Sequence, residues 1–243
     1  MRDYMEHMEY IAKKEIDFKE PIVITGFPSI GLIGNIATRQ IIKELNLDYI
    51  GYFDSPNIPP IMTVENGKIY PPIRAHANEN IVAIFSEVLI PQNIVYSLTD
   101  KLLEYTSHIN PKVIVNLDGI TSLNPKDIYA VSTSEDILTN IKEQKIPILE
   151  FGMVGGMSGL ISLKSADKNI PSLCLMAETP GLRPDPMGAS NVIEVLNKLY
   201  NLNVNTEELI KEDEKIKEKL KKLAEEHLKL MTKQQKVENP MYL

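Results

Sequence analysis

The feature that most constrains this chain is a repeated coupling of two periods. Short unbroken apolar runs are each followed by a stretch in which apolar residues recur every three or four positions. Ile22-Val23-Ile24-Thr25 is the first such run. Beyond Gly26-Phe27-Pro28, the residues Ile30, Leu32, Ile33, Ile36, Ala37, Ile41, Ile42 and Leu45 follow at helical spacing. An apolar run without alternation suits a strand covered on both faces, and the helical stretches supply the cover. The pattern returns at Ile81–Phe85 with a helix from about Gln92 to Ile109. It returns again at Val113–Leu117, with a helix over Ser134–Lys145 and a short strand over Ile146–Glu150. The last strand is Ser172–Ala177, and its helix runs over Ala189–Tyr200. Tyr49–Phe53 reads as a further strand, and Asn66-Gly67 predicts a hairpin turning Met62–Glu65 back on Lys68–Tyr70. Residues 1–20 show no clean period and read as a leader. The fold expected is a three-layer α/β/α domain with a mainly parallel sheet and one inserted hairpin.

Composition removes several function classes. Acidic residues (33) outnumber basic ones (26), giving a net charge of −7, the wrong sign for gripping nucleic acid by its phosphates. The single cysteine, Cys174, precludes an internal disulfide and cysteine-rich zinc sites, and the four histidines are not spaced as metal ligands. No apolar run reaches membrane-spanning length and the first residues are too polar for a secretory signal, so a soluble, cytoplasmic protein without membrane partners is expected.

Two glycine clusters sit where phosphate loops sit. In Gly26-Phe27-Pro28-Ser29-Ile30-Gly31-Leu32-Ile33-Gly34-Asn35, the spacing of Gly26 and Gly31 matches a Walker loop, but Leu32 and Ile33 replace the required Lys and Ser/Thr. No glycine lies two residues after Gly26, so the Rossmann fingerprint fails as well. In Gly152-Met153-Val154-Gly155-Gly156-Met157-Ser158-Gly159, an anion nest would lack any basic partner. Close backbone packing is the better reading of both. The loop Glu178-Thr179-Pro180-Gly181-Leu182-Arg183-Pro184-Asp185-Pro186 is stiffened by three prolines. Glu87, Asp118, Glu178 and Arg183 are the candidates for an enzyme acting on a nucleoside-like ligand. Pairing of Arg183 with a carboxylate, to hold the loop, is the better reading of that residue. No complete catalytic constellation can be assembled.

From Asn205 the composition changes. Asn205-Thr206-Glu207-Glu208 carries a capping signature, and residues 205–236 are expected to form a charged helix, with nine lysines and eight acidic residues between Glu207 and Lys236. Leu209, Ile216, Leu223 and Leu230 recur every seven residues, with Leu220 and His227 between them. Asp213 interrupts this seam, so the expected coiled coil is short or imperfect. Equally, the helix could lie along its own domain. Residues 237–243 read as a flexible tail ending in Met241-Tyr242-Leu243, an end suited to capture in a pocket with its carboxylate on a lysine.

Taken in order, the motif built on Gly26, Phe27, Pro28, Gly31 and Gly34, the cluster with Gly155, Gly156 and Gly159, and the loop with Pro180, Gly181, Pro184 and Asp185 resemble the archaeal homologues of the proteasome assembly chaperones. The resemblance covers roughly residues 20–202. It implies a nucleoside-phosphorylase-like α/β body at residues 1–204 without an established enzyme activity, and a homo-oligomer, a tetramer or pentamer; no cofactor is expected. The end Met241-Tyr242-Leu243 is similar to the hydrophobic-Tyr-any (HbYX) tail by which proteasome activators and chaperones engage α subunits of the core particle. The expected protein is therefore an assembly chaperone or activator-like adaptor. The alternatives are an enzyme of the kind above, or an oligomeric scaffold with docked tails that binds another protein ring.

Overall fold

The computed structural model describes residues 7–219 and 222. Eight strands form one mixed sheet in the order β1 (Glu9–Ala12), β3 (Asp48–Asp54), β6 (Ile73–Ala77), β7 (Ile81–Ser86), β2 (Ile22–Gly26), β8 (Val113–Thr121), β10 (Ser172–Thr179), β9 (Ile128–Ser132). The four strands β7, β2, β8 and β10 are mutually parallel. The margins, β1-β3-β6 on one side and β9 on the other, are antiparallel. The expected hairpin is present as β4 (Thr63–Glu65) and β5 (Lys68–Tyr70), turned by Asn66 and Gly67 at positive φ.

Helices cover both faces, which is why the central strands are apolar without alternation. Ile24, Val115, Leu117 and Leu175 pack on one side against α1 (Ile33–Glu44), α5 (Pro186–Tyr200) and Ile141 of α3 (Glu135–Glu143). Val23, Ile84 and Ile114 pack on the other side against α2 (Val95–His108) and α4 (Gly156–Asp167). Each of these fully buried aliphatic side chains contributes about 1.5–3 kcal/mol relative to exposure. Asn116, a polar residue within the β8 run, is satisfied inside the sheet. It accepts from Thr25 Oγ1 at 2.7 Å and donates to Ser162 and Ser172 at 3.0 and 3.1 Å.

The strand expected over Ile146–Glu150 reduces to a single bridge between Ile148 and Ala130. Three strands absent from the sequence reading are present. β1 lies within the expected leader, pairing Glu9–Ala12 with Gly51–Asp54; β6 and β9 are the others.

Candidate functional site

The two motif loops meet at the carboxyl end of the parallel strands, and glycine is what lets them meet. Gly34 faces the Leu117 carbonyl so closely that a Cβ there would sit 2.1 Å from its oxygen. At Gly26 a Cβ would fall 2.2 Å from the Gly34 carbonyl oxygen. Helix α1 is thus pressed onto β2 and β8 with no room for a side chain. Gly31, at φ +67, lies under Thr179 and Asp185, and its carbonyl accepts from the Asp185 N–H at 2.8 Å. Asp185 also caps α5, its carboxylate accepting from Gly188 N–H at 2.9 Å, with Pro186 at the first helical position. The phosphate-loop geometry at residues 26–35 is therefore a packing device. In the second cluster, Gly159 packs on the Val154 carbonyl and Gly156 takes φ +64, whereas Gly155 has open space around it.

The proline loop is held by a residue from outside the body. Arg183 Nη2 donates to Asp213 Oδ1 at 2.9 Å, and Lys217 stands 2.6 Å from the other oxygen of the same carboxylate, which is fully buried. Burial alone would raise this carboxyl. The hydrogen bonds and charges of Lys217 and Arg183 outweigh it and hold Asp213 below the usual carboxylate range. Asp213 is thus the anchor of the arm, and the gap that it makes in the heptad pattern is the mark of a docked helix.

The arm is helical over residues 207–219. Its start is capped by Asn205 Oδ1, which accepts from Glu207 N–H at 2.8 Å, while the Thr206 hydroxyl is spent on Glu194 of α5 at 2.8 Å. Gln40 of α1 donates to the Asn205 carbonyl at 2.8 Å, Lys43 pairs with Glu208, and Leu209 is buried in the core between α1 and α5. Lys43 lies near the far end of α1, whereas Arg183 lies beyond the carboxyl end of β10. The arm therefore runs along the body back toward the carboxyl ends of the parallel strands. Leu220, Leu223, His227 and Leu230, the rest of the expected helix to 236, and the tail 237–243 with Met241, Tyr242 and Leu243 lie outside the described residues.

The enzyme candidates are each engaged in holding the fold. Glu178 accepts from the Lys126 and Asp127 N–H groups at 2.8 and 3.1 Å, which keeps its pKa low. Glu87 accepts from Arg39 at 3.0 Å on each carboxylate oxygen and from Arg74 at 3.1 Å. Asp118 accepts from the N–H of Gly119 at 2.7 Å.

A buried charge cluster escaped the sequence reading. Arg74 of β6 is 1% exposed, with its guanidinium 4.6 Å from the Phe85 ring centre and 5.2 Å from that of Tyr70. It pairs with Glu65 of the hairpin at 2.6 Å and with Glu87 at 3.1 Å. Beside it His76 is buried, its Nδ1 3.3 Å from the Leu47 carbonyl and its pKa pushed down to about 4 by burial, with Arg74 adding to the effect. A cleft of about 750 Å³ between α1, the hairpin and the arm opens over this cluster. The available signal was Ile73-Arg74-Ala75-His76-Ala77, which places both polar residues on one face of a five-residue strand.

A mixed sheet clad on both sides thus carries two interlocked glycine–proline loops and, docked along it, the base of a C-terminal arm. The model of the PAC2 family matches residues 23–224 of the chain, which belongs to that family. It is 44% identical, over 98% of its length and 100% of the relative's, to the uncharacterized protein MJ0106 of Methanocaldococcus jannaschii. The structure superimposes on PbaA of Pyrococcus furiosus, an archaeal homolog of proteasome-assembly chaperone, with a TM-score of 0.84 at 32% identity, covering 96% of this chain and 99% of that one. PbaB of the same organism, an archaeal proteasome activator, shares the fold with a TM-score of 0.81 at 18% identity over 90% of this chain and 100% of that one. The chain is thus a relative of the archaeal homologues of the proteasome-assembly chaperones. No helix among the described residues is long and apolar enough to cross a membrane.

Proposed function

We propose that this protein is a non-enzymatic proteasome assembly chaperone or activator-like adaptor, acting in the cytoplasm. Several copies engage α subunits of the core particle through their C-terminal residues Met241, Tyr242 and Leu243. The observation that carries this reading is the Arg183–Asp213 clasp. It fixes the base of the arm to a rigid loop, as a mounted tether needs. Family membership and the likeness to PbaA support the choice of partner. A homo-oligomer of four or five subunits multiplies a weak single-tail contact by raising the effective concentration of the other tails. On this reading the nucleoside-phosphorylase-like body serves as a mount, residues 205–236 as a helical spacer and 237–243 as the finger. The motif residues, from Gly26 to Asp185, shape the loops that hold the arm.

The docked base of the arm also favours a second reading, an oligomeric scaffold whose tails stay on its own ring. Pull-down of the core particle with the full chain, and with a chain ending at Pro240, separates the two. A tether loses the core particle on truncation, and a scaffold with docked tails keeps it.

A further inference from the structure

The distribution of exposed apolar residues points to a surface of a definite kind. Twelve large apolar side chains are exposed among the described residues, and all but Phe151, Met153 and Leu163 lie in or next to connections at one end of the molecule. This is the end where the parallel strands finish. Ile30 follows β2, Leu89 follows β7, Leu123 follows β8 and Leu182 follows β10, at 41, 72, 95 and 92% exposure. The hairpin stands at the same end, because the start of β6 pairs with the end of β7, Ile73 opposite Ser86. Single exposed apolar residues are ordinary on soluble proteins, but this clustering is not.

The backbone holds these side chains outward. The exits of β8 and β10 are tied by the Ser122 N–H donating to the Thr179 carbonyl at 2.9 Å, and a Cβ on Gly181 would lie 3.0 Å from Ile30 Cγ2. Three neighbouring exits therefore bring Ile30, Leu123 and Leu182 together. Leu182 stands between Pro180 and Pro184 in the loop that Arg183 clamps, so its exposure belongs to a fixed conformation. The hairpin is inverted in polarity. Glu65 faces inward onto buried Arg74, while Val64 and Ile69, paired across the hairpin, face solvent at 57 and 66% exposure. A hairpin that spends its carboxylate on the body and its valine and isoleucine on solvent has its apolar face made for contact.

We infer that this end is the surface through which copies of the chain assemble. The inference rests on the homo-oligomer of the proposed function and assigns its face. Two arguments select a second copy as the occupant. These side chains together present on the order of 1,000 Å² of apolar surface, above the few hundred that a monomer leaves uncovered and of the size each partner of a stable interface buries. A surface that is always exposed also needs a cover that is always present, which a copy of the same chain provides. Because the arm runs toward the same end, assembly here gathers the arms of all subunits in one place.

The test uses the full chain and two double variants, Leu123→Glu with Leu182→Glu, and Val64→Glu with Ile69→Glu. Mass is measured by light scattering after size exclusion and folding by circular dichroism. Wild type is expected as a multimer. The Leu123/Leu182 variant is expected to fall toward the 27.4 kDa of one chain with its helix signal intact, and the hairpin variant to shift the same way. A wild type that runs as a single chain, or variants that keep the full multimer mass, would overturn the inference. So would a chain cut after residue 219 that associates while the intact chain does not, since the arm itself would then be the cover. Core-particle binding is read separately: a wild-type multimer that dissociates in the variants but never binds the core particle sinks the proposed function and leaves this face standing.

Discussion

Arg183 and Asp213 are thirty residues apart in sequence and 2.9 Å apart in space. One belongs to the stiffest loop of the body and the other to the second turn of the arm. Their pairing turns a surface helix into a fixed extension. Lys217, one turn further along, closes on the same carboxylate, so the arm is held over two turns of helix. Removing Arg183 leaves a buried carboxylate with the exposed Lys217 as its remaining ionic partner. Arg183→Ala is expected to cost on the order of 2 kcal/mol. Asp213→Ala should show a similar loss, and the double variant less than the sum. Urea unfolding of the three variants gives the coupling, and amide exchange should rise across residues 207–219 in each. Additive losses with unchanged exchange would mean that the pair does not hold the arm.

The buried histidine sets a pH window. His76 titrates near 4 in the folded chain against about 6.5 when unfolded. Between these values the unfolded state binds a proton that the folded state refuses, so stability falls as pH drops from about 6.5 to about 4 and levels off below. The total is about 3 kcal/mol. Asp213 behaves differently. Its lowered pKa keeps the clasp intact through that window, and its contribution is lost only below the ordinary carboxylate range. His76→Gln, which keeps a donor for the Leu47 carbonyl, should flatten the dependence between pH 6.5 and 4. An unchanged slope in urea titrations across that range would assign it to other groups.

Arg74 joins the hairpin to the sheet. Arg74→Ala leaves Arg39 as the remaining cation beside Glu65 and Glu87 and opens space beneath Phe85 and Tyr70, so a loss of on the order of 3 kcal/mol is expected. The loss should be local as well as global, with increased proteolysis between residues 55 and 72. A variant with wild-type melting and an intact loop would contradict the role given to this cluster.

The glycines of the two clusters separate by what surrounds them. Gly34→Ala drives a Cβ into the Leu117 carbonyl and should destabilise by about 3 kcal/mol or prevent folding. Gly155→Ser, at the N-cap of α4 with open space around it, should change stability by a few tenths of a kcal/mol at most. Thermal melts of the two variants decide the matter. Similar losses at both would mean that close approach is not what the glycines supply.

The central architecture could be read from the chain because strands buried on both faces carry their signature openly. Ile22–Gly26 and Val113–Leu117 announce themselves, and Asn66-Gly67 fixes the hairpin. The strands that escaped belong to the margins. In β1, Glu9 is exposed, and edge pairing with β3 asks little of the sequence. In β6, the buried Arg74 and His76 break the apolar run, and the partners that make them tolerable, Glu65 and Glu87, come from other elements. Asp213 was hidden for the same reason. Along the helix it looks like a defect, and only its meeting with Arg183 across the fold shows what it does. Loop packing at Gly26 and Gly34 was legible from the missing basic residues, whereas the arm's direction depends on contacts that no local pattern contains.

The central claim concerns the end of the chain. Affinity for the purified core particle, measured by biolayer interferometry with the multimer in solution, tests it most directly through wild type, Tyr242→Ala and a chain lacking Met241-Tyr242-Leu243. The account predicts salt-tolerant binding of wild type, a drop of at least tenfold for Tyr242→Ala, and no binding for the truncated chain at unchanged multimer mass. Equal affinity of all three proteins would contradict it.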